Sequence, residues 1–265
     1  MEDQLISPPL MVMTSRAMRL VAARGHRPGE MAGATWLALG GPPPDAPAWR
    51  QLRWIPTVNC TRLSEVAELR TRSGPDTRAV ALYDLEAWDL TPREEREDPW
   101  TYVARAADLL RASRLELMAA PSISLATRLA RDQPGPELAY LACRLAERMA
   151  PRCCIYHIQS QRLERVPERY SAFVAEVARR ARQASPTVLV TAGLSTNPTG
   201  APVSLEQLAG CVAGTYDRVD GYWINVPRPG RRCPHCNPEN PALAAALLAQ
   251  LVPAQGHVRM ASHVA

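Results

Sequence analysis

The chain contains no lysine, and all 31 of its basic residues are arginine. That absence excludes the enzyme classes whose covalent handle is a lysine amine, Schiff-base aldolases and pyridoxal-phosphate enzymes among them. Phenylalanine occurs once and aromatic residues make up 5% of the chain, which leaves few platforms for a long polysaccharide groove. No apolar run reaches the ~18 residues of a membrane span. The opening MEDQLISPPLMVMTS lacks a basic segment followed by a long apolar one, the plan of a secretory signal. The expectation is a cytoplasmic protein without a membrane partner, whose seven cysteines are free thiols in a reducing compartment. No Gly-x-Gly-x-x-Gly follows an early strand-like run, so a nucleotide-binding open sheet loses its best support.

What is present favours a large single core. Hydrophobic residues make up 46% and charged residues 22% of the 265 positions, the balance of a folded domain with a solvated surface. The net charge of +5 is spread along the chain and no nucleic-acid motif accompanies it, so no nucleic-acid partner is expected. Eight short apolar runs recur: Leu10–Thr14, Thr35–Leu39, Trp54–Asn59, Ala79–Asp84, Leu115–Ala120, Cys154–Gln159, Val188–Ala192 and Gly221–Val226. Continuous apolar runs of this length suit strands buried on both faces of a parallel sheet.

The segments between the later runs carry a helical period, with an apolar face in Tyr102–Ser113, Leu138–Met149 and Tyr170–Ala184. Ser204 and Gln207 form a capping-box pattern, and Ala242–Leu251 reads as a closing helix. Pro42, Pro43 and Pro44 leave little room for a helix between the second and third strands. Strand–helix alternation over a length near the ~250 residues such barrels use predicts an α/β fold, one (β/α)8 TIM barrel spanning residues 1–265.

Catalytic groups of such barrels cluster at the carboxyl ends of the strands. The fourth run ends in Asp84-Leu85-Glu86. Residues two apart on a strand share a face, so both acids are expected to point inward and to push their pKa values apart, giving a general acid. Tyr83 and Trp88 flank this catalytic pair and are assigned to substrate binding. On the sixth run Gln159 and Gln161 present amides for hydroxyl or carbonyl groups. His157 shares their face, as a ligand contact or as a hydrogen-bonded core histidine. The loop after the seventh run offers Asn197, and the eighth run offers Trp223 and Asn225. The acidic stretch Glu94, Glu95, Glu97 and Asp98 reads as a solvated loop and helix start.

Cys233 and Cys236 form a Cys-x-x-Cys, and with His257 and His263 they make a candidate structural zinc set. One such pair with distant histidines competes with a redox dithiol and with ordinary thiols. No other cofactor is expected.

The strand-end residues resemble those of glycoside hydrolase family 18, the chitinases and their lectin-like relatives. That family is a (β/α)8 barrel with Asp-x-x-Asp-x-Asp-x-Glu at the end of strand four, and Asp84-Leu85-Glu86 is similar to its last two acidic positions. Ala119-Ala120-Pro121, Gln159 and Trp223 look like plant-type members, and the resemblance spans Arg78 to Pro227. It implies that Glu86 is the proton donor and that Asp84 helps the substrate's acetamido group attack its own anomeric carbon. The sequence departs from the pattern at Ala79 and Leu82, where the family has Asp, and at Gln161, where it has Tyr. The phrase from Tyr83 to Pro99 is similar to an actinobacterial-style subgroup of such barrels. The expected partner is a glycan or other small-molecule substrate. A repurposed cyclase, lyase or isomerase of specialised metabolism and a non-catalytic glycan-binding barrel are the alternatives.

Overall fold

All eight apolar runs form strands, because a segment without polar alternation has two faces to bury. The computed structural model, which describes residues 6–230, 235–254 and 257–260, sets them at β1 Leu10–Thr14, β2 Thr35–Leu39, β3 Arg53–Cys60, β4 Ala79–Leu85, β5 Leu115–Pro121, β6 Ile155–Ile158, β7 Leu189–Ser195 and β8 Gly221–Asn225. The strands close in sequence order into a barrel. With helices between parallel strands, this is the (β/α)8 TIM barrel that the alternation predicts. β2 and β4 are buried along their whole length. β3 instead alternates exposed and buried residues, the pattern of a strand with one solvent face.

Polar caps begin many of the helices, each worth about 1 kcal/mol. Thr14 Oγ1 accepts from the Ala17 amide at the start of α1 Ser15–Ala22. After the three prolines only one turn forms, α2 Pro47–Arg50. α3 Leu63–Arg72 and α4 Arg93–Glu97 follow, and Asp98 then caps α5 Pro99–Leu110. Ser122 caps α6 Ile123–Leu129. The expected helix Leu138–Met149 is broken into α7 Pro136–Ala142 and α8 Leu145–Met149 by Arg144, whose φ of 53° is left-handed. α9 Pro167–Ala184 is the long helix after β6. α10 Leu205–Ala213 starts in the predicted Ser204–Gln207 capping box, and Asn240 caps α11 Pro241–Leu248. The closing helix therefore ends before Leu251. From there the chain turns into an antiparallel pair, β9 Leu251–Ala254 and β10 His257–Met260. Among the described residues no helix is long and apolar enough to cross a membrane.

Two compact units share the chain. The first comprises Met1–Ile55, Ser160–Ala175 and Ala192–Ala265, the second Pro56–Gln159 and Glu176–Thr191. In the first, β1 lies between β2 and β8. Gly221 makes that pairing possible, because a Cβ there would stand 2.0 Å from the Leu10 carbonyl oxygen. In the second, β4 and β5 pair over seven residues, from Ala79 opposite Leu115 to Leu85 opposite Pro121. The hydroxyls of Tyr140 and Tyr156 meet at 2.5 Å behind this sheet.

Candidate functional site

Alternation along β4 decides which side chains face the barrel interior. Tyr83 is fully buried and its hydroxyl donates to Glu95 of α4, so it faces the helix layer. This removes Tyr83 from the residues that could touch a substrate in the barrel mouth. Glu95 corrects the expectation of a solvated acidic stretch: it is 4% exposed and accepts the Leu63 amide at 3.0 and 3.1 Å, capping α3. Burial raises its pKa against the lowering effect of these bonds.

Asp84 takes the opposite face and is buried at 7% exposure. Its Oδ1 accepts from Gln159 Nε2 at 2.9 Å and its Oδ2 from Asn59 Nδ2 at 3.3 Å. Gln159 lies one residue past β6, and its Nε2 also donates to the Ala120 carbonyl at 2.8 Å. Both N–H groups of that amide are thereby directed, which leaves its carbonyl oxygen as the atom it can offer a ligand. Asn59, at the end of β3, was not singled out in the sequence, although the strand-end rule that finds Asp84 applies to it as well. Its Oδ1 is buried with no hydrogen-bond partner among the described residues.

Glu86 stands one residue past the end of β4 and is half-buried. Its Oε2 accepts from Ser124 Oγ at 3.2 Å, and Ser124 in turn meets Ser122 Oγ at 2.8 Å. The turn that carries it is gathered on Thr91, which is fully buried. Thr91 Oγ1 accepts the Glu86 amide at 3.4 Å and Trp88 Nε1 at 3.0 Å. Trp88 thus helps hold the turn. The two acids have different surroundings: amides hold Asp84, and a serine hydroxyl meets Glu86.

His157 lies on the Asp84-facing side of β6, since its neighbour Tyr156 points to Tyr140 on α7. It is fully buried, its Nδ1 lies 3.0 Å from Thr191 Oγ1, and burial lowers its pKa to about 3. It is a neutral core histidine near pH 7, the second of the two expectations for it.

The remaining predicted residues belong to the first unit. β6 ends at Ile158, so Gln161 is not on a strand; its amide lies against Gly193, where a Cβ would come within 2.4 Å of its Nε2. Asn197 is 3% exposed and uses its amide on the chain itself. Its Nδ2 donates to the carbonyls of Pro227 at 2.6 Å and Asn237 at 2.8 Å, and its Oδ1 accepts from Thr196 Oγ1 at 3.0 Å. It pins loops together through these bonds. Trp223 is 8% exposed, on the face opposite Tyr222, whose hydroxyl meets Thr215 Oγ1 at 2.7 Å. The Asn225 carbonyl accepts the Thr196 amide at 3.0 Å.

One buried acid in this unit was also missed. Glu164, in the loop between β6 and α9, is fully buried and accepts the Ser195 amide at 2.8 Å on Oε1. Burial raises its pKa to about 7. A lone acid in an irregular loop has no periodicity to mark it.

The cysteine expectation is corrected in part. Cys60, Cys143, Cys153, Cys154 and Cys211 are free, and burial raises each thiol's pKa, Cys60 and Cys153 to about 12. Cys236 is disulfide-bonded, so in this state its sulfur is not the thiolate that the zinc set needs. Cys233 and His263 lie outside the described residues, and His257 Nδ1 is 3.0 Å from the Val219 carbonyl oxygen.

No protein-family model matches the chain, and no curated protein matches it in sequence.

Proposed function

We propose that the protein is an enzyme that moves a proton on a compact, sugar-like or comparably small substrate at the carboxyl ends of β4 and β6. Glu86 is the general acid/base and Asp84 the fixed carboxylate that orients the substrate. The observation that carries this reading is the contrast between the two acids. Asp84 is buried with both oxygens engaged by Gln159 and Asn59, whereas Glu86 is half-buried beside a rotatable Ser124 hydroxyl. Two carboxyls with unlike surroundings are the arrangement from which separate acid and orienting roles arise. Their location supports the reading, since barrel chemistry sits at the carboxyl ends of the strands. The resemblance of Asp84-Leu85-Glu86 to the chitinase pattern adds hydrolysis of a glycosidic bond as the reaction to try first.

Lyase, cyclase or isomerase chemistry on a small substrate is the second reading. It is favoured by a single phenylalanine and 5% aromatics, which suit a compact ligand better than a polymer. A panel of chromogenic N-acetylglucosaminides and small cyclisable substrates tests both. Glu86→Gln is expected to lower kcat by ~10²–10⁴, the usual worth of general acid/base catalysis, while binding by calorimetry persists. Turnover by the variant at the parent rate removes Glu86 from the mechanism.

A further inference from the structure

The loop from Ser160 to Val166 follows β6 and is built as two successive turns, with the Leu163 amide on the Ser160 carbonyl and the Val166 amide on the Leu163 carbonyl. It contains a conformation unfavourable for an L-residue, Arg162 at a φ of 88°. Side chains hold it down. Ser160 Oγ donates to the Gly193 carbonyl at 3.0 Å. The Arg165 guanidinium donates to the carbonyls of Ala201, at 2.7 Å, and Thr199. Gln207 Nε2 donates to the Arg165 carbonyl at 2.9 Å. At the centre is Glu164, 0% exposed, with Oε1 on the Ser195 amide at 2.8 Å and Oε2 buried with no hydrogen-bond partner among the described residues. An ionised carboxylate with one oxygen buried and unpartnered is costly, and a neutral carboxyl there is much less so.

We propose that Glu164 is a protonation latch: neutral, it closes the Ser160–Val166 loop onto the end of β7, and its ionisation frees the loop. The backbone amides of Glu164 itself, Ser195 and Arg162 favour the charge, by less than burial opposes it. Arg165 favours it, but that guanidinium is tied to two carbonyls. From α10, the Cys211 thiol lies 3.6 Å from the Glu164 carbonyl oxygen, and its pKa is raised by burial and by Glu164 and Glu168. From α9, Tyr170 is buried and its pKa is raised in part by Glu164. β7 contributes only the Ser195 amide. Burial therefore dominates and brings the Glu164 pKa to about 7, from the ordinary 4.5. The latch does not depend on the role given to Glu86.

Amide hydrogen exchange tests it, read at Ser195, whose amide Glu164 holds, and divided by the intrinsic base-catalysed rate. Glu164 is charged in the open state above its ordinary pKa of 4.5, and in the closed state only above about 7. The opening constant is therefore expected to rise roughly tenfold per pH unit from about pH 5 to 7 and then level off. Amides of β1 serve as the reference. Glu164→Gln imitates the neutral form and is expected to abolish the rise. A flat profile in the parent protein, or the same slope in the variant, overturns the proposal. Should the variant not fold, the parent profile still decides, together with an infrared band of a protonated carboxyl that must disappear between pH 6 and 8.

Discussion

Replacing Gln159 with leucine removes one amide nitrogen that serves two acceptors, Asp84 Oδ1 at 2.9 Å and the Ala120 carbonyl at 2.8 Å. A hydrogen bond to a carboxylate is worth about 1.5–3 kcal/mol and one to a carbonyl about 1 kcal/mol. Gln159→Leu is therefore expected to destabilise the protein by roughly 2.5–4 kcal/mol, partly offset by the added apolar surface. The Asp84 share is isolated by a double-mutant cycle with Asp84→Ala, read by urea unfolding. A coupling of about 1.5–3 kcal/mol is expected between the two positions. The midpoint should move without a change in slope, since the fold is retained. A coupling below about 0.5 kcal/mol, the level at which distant sites simply add, refutes the claim that Gln159 holds Asp84 in place.

Two further substitutions probe the barrel that carries the site. Gly221→Ala sets a Cβ 2.0 Å from the Leu10 carbonyl oxygen and 2.7 Å from Leu10 Cβ; overpacking a backbone contact costs about 3 kcal/mol or more, visible as a fall in Tm or loss of folded protein. His157 is neutral in the native state down to about pH 3, against 6.5 when unfolded. The unfolded chain therefore binds the extra proton first, and stability present above pH 6.5 is lost as the pH falls towards 3. The loss is roughly 4–5 kcal/mol over that window. His157→Gln is expected to flatten this acid limb in urea titrations at stepped pH, and an unchanged limb contradicts the assignment.

The barrel was legible because parallel strands buried on both faces leave uninterrupted apolar runs, and β1 and β2 begin and end where those runs do. The strand-end rule then pointed to Asp84, Glu86 and Gln159, and the structure brings Asp84 and Gln159 into hydrogen-bond contact. It stopped short of Asn59, whose role depends on reaching Asp84 across β3 and β4, and of Ser124, which meets Glu86 from α6. Those are tertiary facts that spacing does not encode. Glu95 misled for the same reason: four acids in five residues look solvated, and only packing shows that one of them caps α3 beneath Tyr83. The Ala/Leu helical pattern was carried as far as Leu251, which is the first residue of β9. Arg144 broke a helix with no glycine or proline at the break itself.

The role given to Asp84 and Glu86 requires a ligand to settle beside them. A crystal structure of the protein soaked with N-acetylglucosamine, the simplest probe the chitinase resemblance suggests, reads this directly. The sugar is expected at the carboxyl ends of β4 and β6, with a hydroxyl or acetamido group within hydrogen-bonding reach of Glu86 and of the Asp84–Gln159 pair. Sugar bound elsewhere on the molecule, with Glu86 facing bulk water, contradicts it.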